Sequence, residues 1–345
     1  MEQADRAGFY SYHVAQHHHS PLCLAPNQSV LLAAAAQRTT RMRFGPLVFV
    51  LPLHHPIRLI EEICMVDQLS QGRLDLGVGP GTGGGTELAM WGENPDENVE
   101  RFEETLDILR RGLQTDFLTY RGKFFDAADL WMELRPYQKP HPPLWWAGNP
   151  ETAAKRGANF IANGSVQQIA TVSRIFQEAW ERARAEDGPE IYRPEQPLFG
   201  GTRRIYIAPT DEEARERAIN SYHSYLSHFA KPAPDGRDAT TGAAGAFNEV
   251  VRRSEWFQKQ VQGEVRQAAR PNTVQTMRIT PEQAIEAEAL VCGSPQTVRR
   301  YVERYCAESG ANYFVGSFHW GNLTHAEASR SLGYFADVVM PGLVD

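Results

Sequence analysis

Cysteine is scarce in this chain: four residues among 345, at Cys23, Cys64, Cys292 and Cys306. None lies in a C-x-x-C spacing, which argues against a disulfide scaffold or a cysteine zinc module and predicts reduced thiols in a cytoplasmic protein. Basic charge is not in excess either: 35 Lys and Arg stand against 42 Asp and Glu, a net charge of −7. A field of that sign argues against nucleic acid as a partner. No apolar run approaches ~20 residues, so no membrane span is expected. The first residues do not read as a positively charged leader with an apolar core, and no internal repeat is evident. What is present is a 42% hydrophobic chain. Its length suits two average domains or one (β/α)8 barrel with an insertion.

The most informative stretch runs through residues 41–85. Residues 42–51 form a β-branched and apolar run stopped by Pro52, which predicts a strand buried on both faces. His55-Pro56 opens a helix with proline in the first turn, where a missing N–H costs nothing. Ile57, Ile60, Cys64 and Val66 recur at helical spacing until Gln71-Gly72 ends the run. Residues 73–79 are a second apolar strand closed by the glycine-rich loop GPGTGGG. Strand, crossover helix and strand make a right-handed parallel βαβ unit.

The same alternation recurs elsewhere. Strands are expected at 9–15, 144–147, 159–162, 202–208 and 312–318, and a surface hairpin at 120–124. Val99, Phe102, Leu106, Leu109 and Leu113 define one face of a helix. Seven strands alternating with helices fit an eight-stranded barrel or a doubly wound sheet. Either architecture places its chemistry at the C-terminal strand ends. Residues 210–288 read as a charged helical insertion whose loop could act as a lid within a single domain of residues 1–345.

The unusual residues sit at those strand ends: QHHH (16–19), VLPLHHP (50–56), GVGPG (77–81), WWAGNPET (145–152) and SFHWG (317–321). With GFYSYHVAQHHH, VLPLHHPIRLIEEICMVDQLSQGRLDLGVGPG, PHPPLWWAGNPET and the tail RSLGYFADVVMP, the chain resembles the bacterial-luciferase-like family of flavin-dependent monooxygenases over nearly its whole length. The resemblance implies a (β/α)8 TIM barrel that binds reduced FMN at its C-terminal face, usually as a homodimer. It implies O2 activation at the flavin as a C4a-(hydro)peroxide, oxidation of a small organic substrate, and a separate NAD(P)H:flavin reductase. Superfamily members that use deazaflavin F420 for hydride transfer, or that bind flavin without catalysis, are the nearest alternatives. The resemblance also implies a strand and most of a helix before the position of Glu2. This chain starts without them, so two barrel edges are expected to stand unpaired.

Carried over position by position, the resemblance makes His17 the acid or base beside the flavin, a role suited to an imidazole that titrates near neutrality. Gln16 stands where the family usually has glutamate. Leu47-Val48 match the place of a non-proline cis peptide beneath the flavin ring. Gly79 takes the position next to the reactive face, and Pro80 one that is often a phosphate-binding Arg. The turn Gly148-Asn149-Pro150-Glu151-Thr152 reads on its own as a capped helix start. The resemblance makes Asn149 and Thr152 the phosphate-binding pair. Trp145, Trp146, Tyr12 and Trp320 are candidates for an apolar pocket or plain core, and His54 and His55 for structural roles at the helix start. His17-x-His19 also resembles the metal pair of barrel amidohydrolases, but the expected further ligands are missing from residues 144–147 and 202–208. No metal is therefore assigned.

Overall fold

The structure is a computed structural model describing residues 1–18, 21–81, 88, 91–186, 188, 191–228 and 280–343. Its strands are β1 (Ser11–Val14), β2 (Arg43–Pro46), β3 (Phe49–Val50), β4 (Leu76–Gly79), β5 (Phe117–Arg121), β6 (Asp126–Trp131), β7 (Leu144–Ala147), β8 (Asn159–Ala162), β9 (Phe199–Ile207), β10 (Leu290–Gly293) and β11 (Tyr313–Ser317). All pair in parallel except β5 and β6, which form an antiparallel hairpin. One path runs β3-β4-β7-β8-β9-β10, with β11 also on β9, while β1 pairs with β2. A parallel bridge from Phe44 to Leu74 links β2 to the entry of β4. The fold is an α/β barrel wall of parallel strands with helices outside it. Among the described residues no strand lies between β1 and β11. A groove of about 1220 Å³ runs there, bordered by Tyr10, His13, Phe314 and Phe318 among others.

The central βαβ unit forms as its pattern demands. Pro56 stands in the first turn of the Pro56–Ser70 helix, and the left-handed Gln71 (φ 54°) ends it. That helix buries Leu59, Ile60, Ile63, Cys64 and Val66 against the sheet. Two expectations change. Residues 42–51 are not one strand: the chain divides into β2 and β3 at a cis Leu47–Val48 peptide. Val99, expected on the buried face of the Asn98–Gly112 helix, is 55% exposed, while Phe102, Leu106 and Leu109 are buried.

β10 has no counterpart among the expected strands. It follows the Pro281–Glu286 helix and pairs with the C-terminal half of β9. The Asp211–Ser227 helix buries a stripe of small residues, Ala214, Ala218 and Ser221, with Tyr222. Around it lies a second apolar cluster, separate from the main core, that includes Tyr206, Leu290, Trp320 and Leu323. Residues 229–279, which contain the expected lid loop, lie outside the described residues. Among the described residues no helix is long and apolar enough to cross a membrane.

Candidate active site

Parallel pairing brings the C-terminal ends of β1, β3, β4 and β7 to one mouth. Its floor is polar. Ser11 donates to Asp75 (2.9 Å), Arg43 Nε bonds the other carboxylate oxygen (2.9 Å), and Arg43 also reaches Gln138 (3.0 Å). One layer up, His13 Nε2 lies 3.0 Å from the Tyr313 hydroxyl, and Trp145 meets both rings with centroids 4.9 Å apart. Burial lowers the His13 pKa, opposed by the Asp75 charge, and raises that of Tyr313. Alternation along β7 turns the next residue outward. Trp146 packs on Phe102 (5.4 Å) under the Arg156 guanidinium (4.3 Å). Trp320 is buried too, donating to the Ile205 carbonyl (3.3 Å). Of the four aromatic pocket candidates, only Tyr12 is exposed (38%). Trp145 and Trp146 are core because strand alternation commits each to a packed face, and Trp320, past the end of β11, because it packs in the second apolar cluster.

At the rim, Gln16 is buried, two residues past β1. Its Oε1 accepts from the Val50 N–H (2.8 Å) and lies 3.2 Å from His54 Nε2, while its Nε2 is 2.7 Å from His18 Nε2. His17, half-buried, occupies the same turn. The His18 ring meets Trp91 edge-on (4.7 Å). His54 is lowered to about 4, first by burial and then by the His18 charge. His54 was expected to be structural at the helix start, and no local pattern marks it as part of this cluster. Gln28 and Asn98 were also missed. Gln28 Nε2 donates to the Val48 carbonyl (3.2 Å), and Asn98 Nδ2 to the Pro80 carbonyl (3.0 Å).

Gly77 and Gly79 have packing reasons independent of any ligand. A Cβ on Gly77 would lie 2.1 Å from the Pro46 oxygen, and one on Gly79 would lie 2.8 Å from Val48 Cγ2. The structure thus brings Leu47, Val48, Gly79 and Pro80 together. Gly83 to Gly85 and His19 lie outside the described residues. Among the described residues no three His, Cys, Asp or Glu side chains are grouped to hold a metal.

After β7, Gly148 leads into Asn149, which caps the Pro150–Lys155 helix, its Oδ1 accepting from the Thr152 N–H (2.9 Å). Among the described residues the Asn149 amide nitrogen and the Thr152 hydroxyl meet no further hydrogen-bond partner. The arrangement offers a histidine-lined rim, a backbone platform at 47–48 and 79–80, and two spare donors at a helix start.

The sequence profile described as luciferase-like monooxygenase matches residues 1–313. An uncharacterized protein of Sinorhizobium fredii, y4wF, is 33% identical over 334 residues, covering 93% of this chain and 84% of that protein. Limonene 1,2-monooxygenase of Rhodococcus erythropolis is 29% identical over 263 residues, 73% of this chain and 66% of that enzyme. A solved type II Baeyer-Villiger monooxygenase, the oxygenating constituent of 3,6-diketocamphane monooxygenase from Pseudomonas putida in complex with FMN, superposes with a TM-score of 0.70. It has 19% identity and covers 99% of this chain and 90% of its own. With a family match across nine-tenths of its residues and the parallel-strand architecture that goes with it, the chain belongs to the luciferase-like monooxygenases.

Proposed function

We propose that this protein is the oxygenase of a two-component, flavin-dependent monooxygenase that uses reduced FMN and O2 to oxidise a small organic substrate. The supporting observation is the donor set at the β7 turn. A phosphate monoester needs hydrogen-bond donors, and the Asn149 amide and Thr152 hydroxyl are two that no described residue engages. Leu47, Val48, Gly79, Pro80 and Gly148 would border the flavin, with Gln16 beside them. When bound, reduced FMN supplies the electrons that activate O2. His17 is the proton-transfer residue, placed in the turn after β1. Reduced flavin comes from a separate NAD(P)H:flavin reductase, and the protein acts as a homodimer of single-domain barrels with residues 210–288 as an insertion.

Spectral titration with FMN, reduced FMN and F420 tests the reading. FMN is expected to bind, and Asn149→Ala with Thr152→Ala to weaken it by about 2–3 kcal/mol, the scale of one or two charge-assisted bonds. Riboflavin, lacking the phosphate, should bind both forms alike. Unchanged FMN affinity in the double variant removes the phosphate assignment. Binding of F420 without FMN would replace oxygenation with hydride transfer.

A further inference from the structure

We infer that Gln16 fixes which ring nitrogen of two rim histidines carries a proton toward it, holding His18 with a bare Nε2 and His54 with a protonated Nε2. The argument starts at Val50. A backbone N–H can only donate, so the Gln16 atom 2.8 Å from it is the carbonyl oxygen. Reversing the amide would set two donors against each other at that distance. With the oxygen placed, the amide nitrogen faces His18 Nε2 at 2.7 Å. That nitrogen has hydrogens and no lone pair to offer, so His18 accepts there and carries its single proton on Nδ1. A second proton on His18 would bring N–H against N–H.

The carbonyl oxygen has room for one more donor, and His54 Nε2 stands 3.2 Å away. His54 therefore donates through Nε2, and in the neutral ring its Nδ1 is the bare nitrogen. Among the described residues, the titratable groups meeting the amide are His18 from the turn after β1 and His54 from the segment after β3. Gln16 is 5% exposed. Burial pushes His54 toward neutrality. Val50 is itself fixed, paired with Gly79 in the β3–β4 ladder, and Trp91 abuts the His18 ring. Gln16 is thus a positioning residue that bars a proton from His18 Nε2 and orients the Nε2–H of His54. That its consequence is to leave the exchange to His17 rests on the oxygenase reading above; the tautomers themselves do not.

Long-range 1H–15N correlation spectra of the histidine rings test this in the full chain without flavin, with His18→Phe and His54→Phe supplying assignments. His18 is expected as the Nδ1–H tautomer and His54 as the Nε2–H tautomer, both still neutral at pH 6, below the ordinary histidine value of ~6.5. In Gln16→Glu the carboxylate accepts from both rings, and each should titrate at least about one pH unit higher. An Nε2–H tautomer or an imidazolium for His18 in the wild type at pH 7 would overturn the inference. So would unmoved titrations in a Gln16→Glu protein that melts like the wild type. If that variant does not fold, the wild-type tautomers decide alone. A negative flavin titration leaves this result standing.

Discussion

His17→Ala is expected to lose about 10²–10⁴-fold in kcat on any substrate the protein turns over, with little change in affinity for reduced FMN. His18→Ala should be much milder, because the amide of Gln16 and the edge of Trp91 already occupy that ring. Steady-state rates with reduced FMN supplied chemically would separate the two variants. Equal activity of His17→Ala and wild type would make His17 a structural histidine. Adjacent residues of one type often have unlike surroundings, and the tryptophans show the same rule. Trp145 faces His13 and Tyr313 inside the barrel, whereas Trp146 faces Phe102 and Arg156 outside it. Because strand side chains alternate, one position decides between interior and helix layer.

Among the elements, the short Glu2–Arg6 helix is tied to the entry of β2 by one side chain. Asp5 accepts from the N–H groups of Thr40 (3.0 Å), Arg41 (2.9 Å) and Met42 (2.7 Å). Burial alone would raise its carboxyl, but those donors outweigh burial and hold it at about 2, below the ordinary 3.8. The folded carboxyl therefore binds a proton less readily than the unfolded one. Its stabilisation is complete above the ordinary value and is lost as pH falls through about 2. Asp5→Asn should cost about 1.5–3 kcal/mol at neutral pH, the scale of bonds to a charged group. It should also flatten the fall in stability between pH 4 and 2, as urea midpoints at several pH values would show. Parallel wild-type and variant curves would contradict this.

The elements also explain what could be read from sequence. The Pro56–Ser70 helix was legible because proline, 3.6-residue spacing and a Gln-Gly end agree. β10 was not: four residues, Leu290 to Gly293, are too few to show a period beside charged helices. The break between β2 and β3 was invisible as a pattern, since Leu47 and Val48 are ordinary strand residues. Only the family resemblance pointed to the cis peptide observed there.

For the whole molecule, strand ends could be located from sequence, and so could the candidates placed on them. The partners could not. Gln16 meets Val50 and His54 across 34 and 38 residues, and Gln28 meets Val48 across 20. Such pairs depend on which strand becomes whose neighbour, information that periodicity does not contain.

The second apolar cluster has a consequence for motion. Tyr222, Leu290, Trp320 and their neighbours pack around the Asp211–Ser227 helix as a group separate from the main core. A region that shares few apolar contacts with the rest can open by itself, below the free energy of global unfolding. Amide hydrogen exchange by mass spectrometry should find Asp211–Ser227 and β10 exchanging together, and sooner than β4 and β7 at the centre of the sheet. Equal protection in all four would show one cooperative unit. Where the order holds, the molecule breathes from its late-chain side, and the βαβ half that bears Gln16 and His17 stays closed while it does.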